Sequence, residues 1–165
     1  MKLGVFTAIT LRHPAREAVL LLRRSETKRR FPGLITGIGG QVELAEGEGD
    51  DLVGSMLREF QEETVIPLAM IQDVRCRLST IITRGELQVL LLWFTGQLTT
   101  MPDDLSCTEG VLEFHDVDAL PLDRMVPTAR RTIPFMLSLP VDDTTIYNSC
   151  LDADGELITN RHAQD

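Results

Sequence analysis

Apolar residues fall into short strand-like runs and two stretches of helical period. Residues 4–11 mix apolar and β-branched side chains and predict a strand, ended by His13-Pro14. Residues 17–23 form a nearly continuous apolar run, suited to a strand covered on both faces. Further on, Leu52, Val53, Met56, Leu57 and Phe60 recur at helical spacing after Asp50-Asp51, either of which is a good N-cap, and Pro67 closes that element. Residues 76–83 and 87–98 read as paired strands around Arg84-Gly85-Glu86, and residues 111–114 as another short strand. Residues 126–137 predict a helix that Pro134 should kink or break, and residues 144–159 two short strands around Asp152-Ala153-Asp154-Gly155.

No repeat or linker divides the chain, so residues 1–165 are expected to form one domain, long enough to bury a core without disulfides. The three cysteines, Cys76, Cys107 and Cys150, have no metal-binding spacing and fit a reducing, cytoplasmic setting. The formal charge of −9 argues against binding a nucleic acid polymer or an anionic membrane through a general positive field. It leaves room for a small phosphorylated ligand bridged by a divalent cation. The longest apolar stretch, residues 87–94, is too short to span a bilayer. Lys2 and the apolar residues after it faintly resemble a signal peptide, but no small-x-small cleavage site follows, and a strand is the better reading.

The chemistry concentrates in Arg58-Glu59-Phe60-Gln61-Glu62-Glu63. Glu59, Glu62 and Glu63 stand at i, i+3 and i+4, within an arc of about 100° that borders the buried stripe. Like charges so placed repel, and a hard divalent cation would offset that. A solvated acidic face, with Arg58 and Glu62 as a plain i, i+4 pair, is the ordinary alternative. The upstream Gly39-Gly40 favours the site: glycines there let backbone approach backbone or ligand closely. Gly54-Ser55, inside the helix, suggests tight packing against the preceding loop.

Gly40, then Glu46 or Glu48, then Arg58-Glu59-Phe60-Gln61-Glu62-Glu63 and Ile66 resemble the Nudix box, G-x5-E-x7-R-E-U-x-E-E-x-G-U with U a bulky apolar residue. Residues 47–57 separate Glu46 from Arg58, a longer interval than the pattern has, so Glu48 competes with Glu46 for the first glutamate. Val65 stands where the pattern has glycine, and should change how the helix ends.

The resemblance implies an α/β/α sandwich with a mixed β-sheet and an enzyme that hydrolyses a nucleoside diphosphate linked to another group, using Mg²⁺ or Mn²⁺. Carried over by position, Glu59, Glu62, Glu63 and the Gly40 carbonyl would hold metal, and Glu59 would orient or deprotonate water. Arg58 would pair with Glu46 or Glu48. Within the basic stretch of residues 23–30, Arg23 ends a strand leading towards the site and is the candidate for substrate phosphate.

Thr108-Glu109-Gly110-Val111-Leu112-Glu113-Phe114 resembles the EGxLxW segment of the MutT-type branch, which hydrolyses oxidised purine nucleoside triphosphates; there the glutamate matching Glu109 lies near the metal. The expected substrate is therefore a nucleoside triphosphate, with or without an oxidised base, cleaved to monophosphate and pyrophosphate. ADP-ribose or a nucleoside diphosphate sugar is the alternative. A non-catalytic nucleotide sensor is the third reading, although such a module would be expected to lose the carboxylates. A homodimer is an open alternative. His13, His115 and His162 are read as surface or satisfied polar residues, and Trp93 and Phe94 as either core or near a base.

Overall fold

The computed structural model describes residues 2–84, 86–151 and 157–160; the side chains of Lys2, Glu48, Arg84 and residue 151 onwards lie outside that description. One mixed sheet of nine strands dominates. Strands β1 (Lys2–Arg12), β2 (Ala18–Arg24) and the short β3 (Ile35–Thr36) lead to helix α1 (Leu52–Glu63). Next come β4 (Ile71–Arg84), β5 (Leu87–Leu98), β6 (Ser106–Cys107), β7 (Gly110–Asp116), helix α2 (Pro127–Ser138), β8 (Tyr147–Leu151) and β9 (Leu157–Asn160). The order is β6-β7-β2-β1-β5-β4-β8-β9, with β3 beside β2. The β1–β5 and β4–β8 pairs are parallel and the rest antiparallel.

The helices lie on opposite faces, as strand alternation requires. Leu20 and Leu22 of β2 pack with Val5, Ile9, Leu11 and Phe94 beneath Met56 and Phe60 of α1. Val19 and Leu21 of the same strand pack with Trp93 and Leu78 beneath Ala129, Ile133 and Met136 of α2. This double coverage accounts for the continuous apolar run of β2. Trp93 and Phe94 thus divide between the two cores.

Residues 44–46 and 48–50 form two short 3-10 turns before α1, the first closed by Gly47 at φ 84°. Two local expectations need amendment. Helix α2 runs through Pro134 to Ser138. Proline removes one intrahelical hydrogen bond, but Ile133, Met136 and Leu137 anchor the helix on both sides of it. Strand β4 starts at Ile71, five residues before its expected beginning at Cys76.

The turn after β1 is built on His13, whose Nδ1 accepts the N–H groups of Ala15 and Arg16 at 3.0 Å each. Its ring meets Phe114 edge to face at 4.9 Å. His13 is therefore a satisfied, buried polar residue. His162 lies outside the described residues.

Candidate active site

Helix α1 presents the carboxylates and the glycine turn meets them. Asp51 caps the helix, its side chain accepting Gly54 N–H at 2.8 Å. Met56 and Phe60 fix the helix rotation by burial, which leaves Glu59 and Glu63 half-buried at the edge of the stripe and Glu62 exposed. The residue 38–41 segment runs antiparallel beside β1, with Thr7 N–H donating to the Gly40 carbonyl at 2.9 Å and Ile9 N–H to Ile38 O at 2.7 Å. Gly39 has φ +150°, and a β-carbon there would strike the Thr7 carbonyl. At Gly40 a β-carbon would run into the Glu59 carboxylate. Gly39 is thus required by its close approach to backbone, whereas at Gly40 the neighbour is the end of the flexible Glu59 side chain.

The exit from α1 determines what else reaches the site. Thr64 leaves the helix extended, at φ −125° and ψ 160°, so Val65 meets no left-handed requirement. Thr64 instead bridges to Cys107, and Thr108 N–H donates to the Glu63 carbonyl at 2.9 Å. That pairing carries Glu109 to the end of α1. Glu109 forms an ion pair with Lys28, and its carbonyl accepts Ser25 N–H at 2.9 Å.

Arg58 Nη2 lies 2.8 Å from Glu59 Oε1 and 3.3 Å from the Gln41 carbonyl, while Nη1 bonds Glu62 Oε2 at 2.9 Å. Glu46 is exposed, with its N–H bonded to the Glu43 carbonyl at 2.9 Å. The Glu48 side chain lies outside the described residues. Arg23 bonds Glu113 at 2.8 Å, and Glu113 also lies 3.4 Å from His115 Nε2.

Glu63 is the electrostatic focus. Its carboxyl is pushed up to about 8, first by burial and then by the charges of Glu109 and Glu59; Lys28 and the Gly39 N–H act in the opposite direction. Its Oε2 is buried without a hydrogen-bond partner. Among the described residues no three acid, histidine or thiol side chains form a ready-made metal cage. The acids instead rest on Arg58 and Lys28. An orphaned buried carboxylate oxygen amid mutually repelling acids, beside a carbonyl with a second lone pair, is the donor set a hard divalent cation takes. The residues fit such an ion.

On the α2-facing side of the same glycine turn lies a cavity of about 280 Å³. Phe6 and Ala8 of β1, Val89, Leu91 and Trp93 of β5, and the first residues of α2 form its walls. Thr36, Gly37, Gly39 and Gly40 close one side, and Arg24, Arg30 and Phe31 another. Trp93 is 1% exposed, and its Nε1 donates to Thr80 Oγ1 at 3.2 Å, so its indole donor is already used. Arg24 Nε holds the Arg30 carbonyl at 3.1 Å, and Phe31 takes a positive φ of 52° in the same turn. Sequence reasoning selected Arg23 from the basic stretch, whereas its neighbour Arg24 lines the cavity.

The chain belongs to the NUDIX family, whose domain model matches residues 2–136. It is accordingly a hydrolase of the class acting on nucleoside diphosphate-linked substrates, which generally use Mg²⁺ or Mn²⁺. Its fold is similar to that of a NUDIX hydrolase from Nitrosomonas europaea, with TM-score 0.63 and 16% identity over 90% of this chain and 80% of the other. It is also similar to a MutT protein from Bacillus halodurans, with TM-score 0.59 and 18% identity over 94% of both chains. A third similar fold is the dihydroneopterin triphosphate pyrophosphohydrolase of E. coli, with TM-score 0.61 and 16% identity over 83% of this chain and 98% of the other. No curated protein sequence matches the chain. Among the described residues no helix is long and apolar enough to cross a membrane.

Proposed function

We propose that the protein hydrolyses a nucleoside triphosphate to nucleoside monophosphate and pyrophosphate. One observation carries this reading. Gly39 and Gly40 form a wall of the cavity, and Gly40 at the same time abuts the Glu59 carboxylate. A group seated in the cavity would therefore extend its phosphates directly onto the acidic helix. The largely apolar walls suit a base, and Arg24 and Arg30 suit a phosphate chain. One of the similar folds is an enzyme named for a triphosphate substrate, which is consistent with this reading.

Glu59, Glu62, Glu63 and the Gly40 carbonyl would hold the metal, and Glu109, brought to Glu63 by the helix exit, would complete the acidic wall. When bound, the cation neutralises phosphate oxygens and acidifies water. Glu59 takes the proton of the attacking water at its carboxylate, and the pyrophosphate leaves with the electron pair of the broken P–O bond. Arg58 is a positioning residue, holding Glu59 and Glu62. Arg23 would reach substrate only by leaving Glu113, so Arg24 and Arg30 carry the phosphate contacts.

Chromatography of products from dGTP, 8-oxo-dGTP, CTP and ADP-ribose with Mg²⁺ tests the reading. Monophosphate and pyrophosphate from a triphosphate are expected. Hydrolysis confined to ADP-ribose would replace the triphosphate reading with the nucleotide-sugar one. Binding without turnover of any of the four would identify a sensor.

A further inference from the structure

A second, smaller cleft lies on the α2-facing side of the sheet, at the opposite end from the cavity. It is lined by Arg12 of β1, Thr95 and Gln97 of β5, and Asp73, Arg75 and Arg77 of β4. Two irregularities in β4 build it. Pairing with β5 skips between Gln72 and Arg75 and again between Cys76 and Leu78, and Asp73 takes φ 53°. Bulges bend a strand and re-aim its side chains. Here they bring Arg75 and Arg77 to the face that carries Arg12.

Hydrogen bonding in this cleft is incomplete. Arg77 is only 3% exposed. Its two Nη groups donate to the carbonyls of Asp143 and, at 2.8 Å, Pro140, and its Nε–H has no acceptor. Asp143 feels the charge of Arg77, yet its own oxygens accept from Thr145 N–H and the Tyr147 hydroxyl at 2.9 Å each. Arg12 donates to the Leu137 carbonyl at 3.0 Å and lies 3.7 Å from the exposed Glu17. Arg75 pairs with Thr95 through the backbone of the ladder, and its side chain has no hydrogen-bond or ion-pair partner among the described residues. Asp73 is the one acid among the described lining residues.

The carbonyl contacts give Arg12 and Arg77 a structural role in holding the end of α2 and the chain after it. They leave the Arg75 side chain and the Arg77 Nε–H without an acceptor. A nearly buried guanidinium N–H without an acceptor is costly, and an exogenous anion relieves that cost. The cleft measures about 40 Å³, too small for a nucleoside. Arginines lining one cleft from separate strands suit a tetrahedral oxyanion, whereas a planar carboxylate offers only two oxygens.

We propose that this cleft binds a phosphate group, either as orthophosphate or as the terminal phosphate of a small nucleotide. It is separate from the acidic helix, and neither α1 nor the glycine turn contributes to its lining.

Calorimetric titration of the full chain in the presence of a chelator, which silences metal-dependent binding at the acidic helix, tests this. Orthophosphate should bind saturably. Arg75→Ala should weaken it by at least about tenfold, and Arg75→Lys by less, because charge persists without the fork. Both variants should keep the wild-type circular dichroism, since the Arg75 side chain supports no other described residue. Arg24→Ala, at the distant cavity, should leave phosphate binding unchanged. Competition by AMP would identify a nucleotide phosphate as the preferred source, and absence of competition would identify free phosphate. Three outcomes overturn the proposal: no saturable binding, binding indifferent to Arg75→Ala, or acetate binding as tightly as phosphate.

Discussion

The two helices have equal length, twelve residues each, and cover opposite faces of one sheet, but they are built differently. Helix α2 buries Ala129, Thr132, Ile133, Met136 and Leu137, and retains its path despite an internal proline and an N-terminus without a side-chain cap. Helix α1 buries only Ser55, Met56 and Phe60, carries a glycine at its third position, and crowds three glutamates along its edge. It compensates with a side-chain cap and with the Arg58 ion pairs. A helix held by packing can tolerate a backbone defect. A helix that presents charge for chemistry has less packing to draw on, so its termini and its counter-ions matter more.

The contrast breaks most visibly at Glu59. Glu59→Gln removes the base while keeping the shape, and turnover should fall by about 10²–10⁴-fold with little change in melting temperature. Steady-state rates beside a thermal melt check this, and a variant as active as wild type removes Glu59 from the mechanism. The mirror experiment is Ile133→Ala on α2. A fully buried aliphatic side chain lost from the second core should destabilise by roughly 2–5 kcal/mol. Activity per folded molecule should survive, as urea denaturation alongside rates in dilute buffer would show.

A smaller effect separates the helices by pH. In metal-free protein, burial and the neighbouring acids raise the Glu63 carboxyl to about 8 from 4.5. The native state then holds a proton that the unfolded chain releases. This contribution to stability is complete below pH 4.5 and is lost as pH rises towards 8. Denaturation in chelator between pH 5 and 8 should show wild type losing stability relative to Glu63→Gln, in which the group cannot titrate. Parallel curves would mean that crowding does not act on Glu63. Saturating divalent cation should abolish the difference, because a bound ion favours the carboxylate.

The sequence pattern made α1 and its acids legible because they are local: one helical period and three spacings suffice. The same holds for β1, β2 and β5, whose apolar and β-branched residues are concentrated in single runs. The start of β4 was hidden because residues 71–75 are mostly polar, and the positive φ of Asp73 interrupts their alternation. The cavity could not be read from one segment, since β1, β5, the Arg30-Phe31 turn and the start of α2 meet there only through sheet order. Strand β2 also runs one residue further than expected, to Arg24. The arginine cleft combines three separated residues through two bulges, which periodicity does not announce. The packing suggested for Gly54 has a nearer partner than expected: the cap residue Asp51 itself.

That last point yields the smallest prediction. Asp51 accepts the Gly54 N–H, and a β-carbon on Gly54 would press against the same carboxylate. Removing the cap by Asp51→Ala should destabilise by about 1 kcal/mol. Gly54→Ala alone gains helix propensity worth up to about 1 kcal/mol, but displaces the cap, so the two effects oppose and the net change should be small. In the Asp51→Ala background the obstruction is gone, and Gly54→Ala should then return most of its propensity gain. The double-mutant cycle is therefore non-additive, with the pair more stable than the sum of the single changes predicts. Urea midpoints of the four proteins measure it. Additivity within roughly 0.3–0.5 kcal/mol would mean that the cap does not explain the glycine, and that the packing of α1 against the preceding turns would have to account for it instead.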